Sequence, residues 1–373
     1  MAAAPLRILI INPFGIGDVL FSTPLVAAVR AAHPDAFIAY LCNRRTQEIL
    51  RYNPHVNVVL VFEKDEYRAL WRDSRWQWAL AVRDLLRRVA RERFDLAIDL
   101  SLSDRYSGLL LVLGVPQRVG FNYRGRGRFL THRVDISGYQ DKHVVEYYRD
   151  LLRSLQIEMA DGRLQLFTSA REREEAISRL AQAGSGPGAT IVGIVPGGGT
   201  SWGIDSAFRR WGIERFARVG DMLADRYGAR VVLFGERSDI PICREVARLM
   251  RHQPLDISGT TTLVQFIHLM SRCQLVVCND GGPLHIAVSL GVRTVSIFGP
   301  VNPRVYGPYP PGPRHQVVTK DLACRPCYQY FKLPPCPYDR ACLETLETEP
   351  VMAAARALLE QVRSPQLAAA SSN

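Results

Sequence analysis

The chain alternates short runs of consecutive apolar residues with longer segments of helical periodicity. RILIIN (7–12), AFIAYLCN (36–43), VNVVLVF (56–62) and DLAIDL (95–100) are apolar at successive positions, not at every second one. Runs of this kind predict strands buried on both faces, as in a parallel sheet covered by helices. Between them, the segment from Val19 to about Ala32 and the charged stretch 64–93 read as helical. The pattern breaks at 116–140, where PQRVGFNYRGRGRFLTHRVDISGYQ mixes Arg, Gly and aromatic residues and predicts loop and irregular strand. Helices at 143–155 and 169–184 follow, and GSGPGA (184–189) carries a linker signal.

A second alternation then begins. TIVGIVPGGG reads as a strand running into a Gly-rich loop, and IERFARVGDMLADRYG as a helix with Gly228 at its C-terminal end. ARVVLFGE, QLVVCND and RTVSIFGP are strands, separated by the helical stretches DIPICREVARLM, TTTLVQFIHLMSRC and GPLHIAVSLG, and EPVMAAARALLEQVRS (349–364) is a last helix. The two halves are built alike. The expected fold is α/β, two Rossmann-like doubly wound domains facing a central cleft. The expected boundaries are 1–165 for the first domain, 166–188 for a linker, 189–348 for the second domain and 349–373 for a C-terminal helix and tail. In such sheets ligands sit beyond the carboxyl ends of the strands. Polar groups in the strand-end loops are therefore the candidates for chemistry.

Composition narrows the class. The 373 residues are 47% hydrophobic and 22% charged, which describes a globular chain and excludes a disordered one. The formal net charge is +11, and lysine stands only at 64, 142, 320 and 332, so the excess is almost all arginine. Guanidinium forks suit carboxylate and phosphate, which points to acidic partners. GLLLVLGV (108–115) is too short to span a bilayer, and the N-terminal stretch has no charged region followed by a cleavage site. The expected location is cytoplasmic, with peripheral contact at the inner membrane surface as an added expectation.

Four strand-end loops carry candidate residues. In NPFGIGD (12–18), Gly15 and Gly17 permit close backbone approach, and Asp18 opens a helix. Asp18 suits either a helix cap or a general base. The spacing lacks the third glycine of a dinucleotide fingerprint. In PGGGTSWGIDSAFRRW (196–211), Gly198 and Gly199 belong to a glycine run that forms a backbone nest for an anion, Thr200 adds a hydroxyl, and Arg209 and Arg210 add charge. In FGERSD (234–239), Glu236 suits a ribose or sugar hydroxyl. In NDGGPLHIAVS, Asn279 or Asp280 suits a helix cap, Gly281 and Gly282 allow close approach, and Pro283 fits the first helical turn. His285 then lies one turn into a helix whose N-terminus attracts anions.

Taken together, GIGDVLFSTP, PGGG…RRW…ERF, LFGERSD and NDGGPLHIAVSLGVRTVSIFGPVNP resemble glycosyltransferase family 9, the ADP-heptose:lipopolysaccharide heptosyltransferases, in order and spacing. CRPCYQYFKLPPCPYDRACLETLETEP is similar to members with a Cys-rich tail. The resemblance implies a GT-B fold with the acceptor mainly on the N-terminal domain and the nucleotide-sugar donor on the C-terminal one. It implies that Asp18 is the general base and that Asp280, Gly282 and His285 contact the donor's diphosphate and sugar. Arg209 stands where the family usually has a phosphate-binding Lys, and Thr200 maps to a hydroxyl position ahead of it. The implied reaction is a metal-independent, inverting transfer of a heptose or related sugar from ADP-heptose to a lipopolysaccharide core. No cofactor is required. Arg44, Arg124 and Arg126, with Arg45 and Arg128, suit an anionic acceptor.

Cys324, Cys327, Cys336 and Cys342 lie within one Pro-stiffened stretch. Their spacing is compatible with structural zinc, and the alternative is four free thiols. Competing expectations for the whole chain are another GT-B enzyme with a different nucleotide-sugar, and a two-domain Rossmann oxidoreductase. Nucleic-acid binding rests on charge alone and is not expected. The chain is expected to be a monomer.

Overall fold

The computed structural model describes residues 5–182, 188–198 and 200–370, with the side chains of 179, 181, 200–202, 204 and 362–370 outside the description. It divides into two compact units, Met1–Phe167 and Thr168–Asn373.

The first unit runs β1 (Arg7–Ile11), α1 (Ile16–Ala32), β2 (Phe37–Cys42), β3 (Val58–Val61), α2 (Lys64–Asp73), α3 (Arg75–Arg91), β4 (Leu96–Asp99), α4 (Asp104–Val112), β5 (Gln117–Tyr123), β6 (His132–Ile136) and α5 (Val144–Arg153). Its six strands are all parallel, in the order β3-β2-β1-β4-β5-β6. Successive strand residues point to opposite faces, and both faces are covered. Leu9, Ile11, Ala39, Leu41 and Ala97 pack with Leu85 and Val89 of α3 and Leu110 of α4. On the other face, Tyr40 donates or accepts a 2.6 Å bond with Ser22 of α1, which packs on α5. This double cover is why the strands read as unbroken apolar runs.

Two expectations change here. The stretch 116–140 is not irregular: β5 and β6 form a regular parallel pair, Val119 opposite His132 through Tyr123 opposite Ile136. β6 is an edge strand with half-exposed and exposed residues only, so it lacks the apolar signature of a buried strand. The segment 64–93 is two helices, broken at Ser74, whose side chain accepts the Gln77 N–H at 3.3 Å and caps α3.

The second unit runs α6 (Ala170–Gln182), β7 (Ile191–Val195), a 3₁₀ segment (Thr200–Arg209), α7 (Ile213–Tyr227), β8 (Arg230–Leu233), α8 (Ile240–Leu249), β9 (Leu255–Asp256), α9 (Leu263–Met270), β10 (Leu275–Asn279), α10 (Gly282–Ser289), β11 (Arg293–Phe298), α11 (Pro303–Tyr306), β12 (His315–Thr319), α12 (Ala341–Glu344) and α13 (Thr348–Ala370). Its sheet is parallel, in the order β12-β11-β10-β7-β8-β9. Counted within the unit, that order equals the first unit's. In both, strand order reverses between the first and fourth strands, the switch point where open α/β sheets take ligands.

The segment expected as a linker, 166–188, contains α6, which packs on α9 and buries Ala176 and Leu180. α13 is equally integral: Val351, Met352, Ala355, Leu358 and Leu359 join Val277, Val295 and Ile297 in the core. Among the described residues no helix is long and apolar enough to cross a membrane.

Candidate functional site

All strands of each sheet are parallel, so every strand-end loop of a unit lies at one edge. In the first unit the switch-point loops follow β1 and β4. The β1 loop is shaped by Asn12, fully buried, whose carboxamide accepts the Phe14 N–H at 3.3 Å and donates to the Asp18 carbonyl at 3.0 Å. Gly15 is the N-cap residue of α1, and Gly17 lies in its first turn. Asp18, half-buried, sits in that turn and accepts the Gly15 N–H at 3.1 Å. An acidic side chain here meets the helix's free N–H groups. Beneath the loop lie Tyr40, Tyr139 and Tyr148, all buried, with Tyr148 and Tyr139 in edge-to-face contact at 6.3 Å. Burial pushes all three phenols well above their ordinary value, and the Asp18 charge raises them further. They stay neutral.

Asp99, at the end of β4 opposite Ile11, was not singled out by the sequence. It is 4% exposed, and burial raises its carboxyl to about 6 even though the Ser101 N–H and side chain favour the ionised form. Its signal in the sequence is only a carboxylate closing an apolar run. Arg44, Arg124 and Arg126 also lie beyond strand ends, after β2 and β5, and all are exposed. Arg44 forms a two-pronged pair with Glu66 at 2.7 and 2.9 Å. Arg124 and Arg126 lie over the Tyr123 ring at 5.0 and 5.6 Å. Arg128 pairs with Asp104 at 2.6 Å.

In the second unit the switch-point loops follow β7 and β10. Asn279, buried at the end of β10, joins them. Its amide nitrogen donates to the Pro196 and Gly197 carbonyls at 2.8 and 3.2 Å, and its oxygen accepts the Trp211 N–H at 2.9 Å. The expectation that Asn279 or Asp280 caps the following helix is corrected: the N-cap is Gly281, with Pro283 in the first turn. Gly281 has φ 156° and ψ −172°, a region open essentially to glycine alone. Gly282 begins α10, and His285, 3% exposed, lies one turn in.

The arginine pair is divided between two buried carboxylates. Arg209 forms an ion pair with Asp280, the two side chains being 10% and 2% exposed. Burial raises the Asp280 carboxyl, and Arg209 pulls it back down. Arg210 donates to the Gly198 carbonyl at 3.1 Å and reaches Asp239 at 3.5 Å. Asp239, in the FGERSD stretch, also accepts the Gly198 N–H at 3.2 Å and the Glu236 N–H at 3.2 Å. A side-chain carbon at Gly197 would overlap the Asp239 carboxyl. Asp239 therefore fixes the glycine loop, a role the sequence did not reveal. Glu236 is exposed and accepts the Ser238 hydroxyl at 2.8 Å. Gly199 and the Thr200 side chain lie outside the described residues.

Cys324, Cys327, Cys336 and Cys342 occupy the segment from β12 to α12, and none is in a disulfide. Burial pushes the Cys327 and Cys342 thiols up, and the other sulfurs of the group act in the same direction. The four are neighbours, yet among the described residues no three His, Cys, Asp or Glu side chains form a group that could hold a metal ion.

The geometry agrees with three comparisons. The family model described as glycosyltransferase family 9 (heptosyltransferase) matches residues 82–335. Lipooligosaccharide heptosyltransferase 2 of Campylobacter jejuni is 24% identical over 363 residues, covering 95% of this chain and 99% of the relative. A solved glycosyl transferase family 9 protein from Veillonella parvula superposes with a TM-score of 0.80 at 26% identity, covering 96% of this chain and 99% of that one. The Escherichia coli ADP-heptose lipopolysaccharide heptosyltransferase II structure has a TM-score of 0.73 at 23% identity, over 96% and 100%. Two doubly wound sheets of identical order, and a family match that covers half of the first unit and most of the second, lead to one conclusion: the chain belongs to glycosyltransferase family 9 and is a glycosyltransferase of the GT-B fold.

Proposed function

We propose that the chain transfers a heptose, or a closely related sugar, from ADP-heptose to a hydroxyl of a lipopolysaccharide core acceptor. The donor binds at the edge of the second sheet, and its diphosphate meets the Gly198 loop, Arg209 and the first turn of α10. The acceptor binds at the edge of the first, beside Asp18, with Arg44, Arg124 and Arg126 toward its anionic groups. The acceptor oxygen attacks the anomeric carbon from the face opposite the leaving group. The bond from that carbon to the diphosphate oxygen breaks, ADP departs with the electron pair, and the hydroxyl proton passes to the Asp18 carboxylate. The configuration is inverted. Charge gathers on the departing diphosphate, and the first-turn N–H groups of α10 with the Arg209 guanidinium stabilise it without a metal ion. Such preorganised donors are worth about 10²–10³ in rate each.

One observation carries the reading. Asn279 and Asp239 immobilise the glycine loop from two sides while Asp280 orients Arg209 beside the start of α10. This preorganisation supports an anion site assembled before its ligand arrives. Asp280 also buries a negative charge next to it, which favours a ligand that brings hydroxyls as well as phosphate. The test is thermal stabilisation by a panel of nucleotides, since a ligand of the native state raises its melting temperature. Protection by ADP above UDP, GDP and NAD is expected. Selective protection by UDP or GDP would move the chain to another donor, and protection by NAD alone would overturn the reading.

A further inference from the structure

The outer surface of α3 has features the transfer reaction does not use. Leu85 and Val89 are buried against the first sheet. On the opposite side of the helix, Trp76, Ala79, Arg83, Arg87 and Ala90 recur at helical spacing, all exposed, and Trp76 is 73% exposed. Alongside runs an open, almost wholly apolar groove of about 370 Å³, lined by Trp78, Ala79, Val82, Leu86, Ala90 and Leu113 and edged by Arg83 and Arg87. Next to it on α4, Leu111 and Val112 are 46% and 82% exposed. At the start of the helix, Trp71 stacks edge-on to Trp78 at 4.7 Å, with Arg75 over its ring at 5.2 Å. Single exposed apolar residues are ordinary, whereas a contiguous patch of them marks an interaction surface.

The charge on this surface selects the partner. Residues 75–93 carry six arginines (75, 83, 87, 88, 91 and 93) and two acids (Asp84 and Glu92). Glu92 is engaged by Arg7 and Asp84 by Arg83, while Arg87, Arg88 and Arg91 enter no ion pair among the described residues. A second copy docked about a two-fold axis would set this arginine cluster against its own image. A surface of anionic phospholipid has the complementary sign, and its headgroup layer accepts an amphipathic helix with tryptophan at the interface and arginine toward phosphate.

We propose that the outer face of α3, with the adjoining ends of α2 and α4, is a docking surface for an anionic phospholipid bilayer. Trp76, Val112 and the groove enter the headgroup boundary, and Arg83, Arg87, Arg88 and Arg91 contact lipid phosphates. Binding is peripheral and salt-sensitive.

The experiment is flotation of the full chain with vesicles of phosphatidylcholine, with and without phosphatidylglycerol. The wild type is expected to float with the anionic vesicles and to be released by high salt. Arg83→Glu with Arg87→Glu is expected to lower that partition by more than about tenfold, and Trp76→Ala several-fold, with melting temperatures unchanged because all three side chains are exposed. No sugar transfer is read, so this outcome stands apart from the donor and acceptor assigned above. A wild type that ignores anionic vesicles, or variants that float as well as it does, overturns the proposal. Concentration-dependent dimerisation abolished by Trp76→Ala, seen by sedimentation, would give the face to a second copy and overturn it too.

Discussion

The two units share a strand order, and at the same switch point they offer opposite chemistry. After β1 the chain turns within a few residues into a long helix, and the first turn presents a carboxylate over a floor of neutral tyrosines. After β7 it enters a glycine loop held by Asn279 and Asp239, and a guanidinium and the N-terminus of a short helix face the same edge. The scaffold sets where a ligand sits, and the loops set what kind. One frame can therefore hold a carboxylate at the switch point in one copy and a glycine loop with a guanidinium in the other.

The sharpest way to break this contrast is Asp18→Asn. The Gly15 N–H keeps an acceptor, so the loop survives while the base is lost. Turnover is expected to fall about 10³-fold, with ADP affinity within a few-fold of wild type by calorimetry. Near-normal turnover would remove the base role and leave Asp18 as a helix cap. The second unit is tested by Arg209→Ala. This strands a carboxylate that is 2% exposed, and breaking a buried pair from one side costs about 3–5 kcal/mol. Adding Asp280→Asn should recover most of the melting temperature without recovering ADP affinity. If the double variant binds ADP like wild type, Arg209 serves only to neutralise Asp280.

The smallest effect concerns Asp99, the buried carboxyl of the first unit. Its folded value of about 6 lies above its ordinary 3.8, so the folded chain holds the proton more tightly than the unfolded one. Its contribution is most favourable below about pH 4, declines between about pH 4 and 6, and stays lower above that. Asp99→Asn removes the decline and keeps an acceptor for the Ser101 N–H. A gain of about 3 kcal/mol is expected near pH 8 by denaturant unfolding, shrinking to nothing below about pH 4. A gain independent of pH would show that Asp99 is not protonated on folding.

What the sequence discloses follows from the range of the interactions involved. β1, β2, β4, β7 and β10 announce themselves because both faces are buried, which leaves no polar residue in the run except at the strand ends. β6 does not, because an edge strand needs no such run. The break between α2 and α3 is hidden because a serine cap needs neither Gly nor Pro to stop a helix. At the site, Asp18, Arg209, Asp280 and His285 are legible as polar residues beside turn-forming glycines. Asn279 and Asp239 are not, because the loop partners they hold are 68–83 and 41 residues away in the chain. An asparagine that binds two loops together looks locally like a helix cap. Only the fold shows that Trp211 and Pro196 are its partners.

α13 has a bearing on how the chain comes into being. The first sheet has both of its layers once synthesis has passed α5, and that unit can settle while the remainder is still being made. The second sheet has no such luck: Val277, Val295 and Ile297 wait for Leu358 and Leu359, which follow them in the chain. The second unit is thus the one left longer with a bare apolar flank, and a ribosome that stalls or a message cut short before α13 would release it in that state.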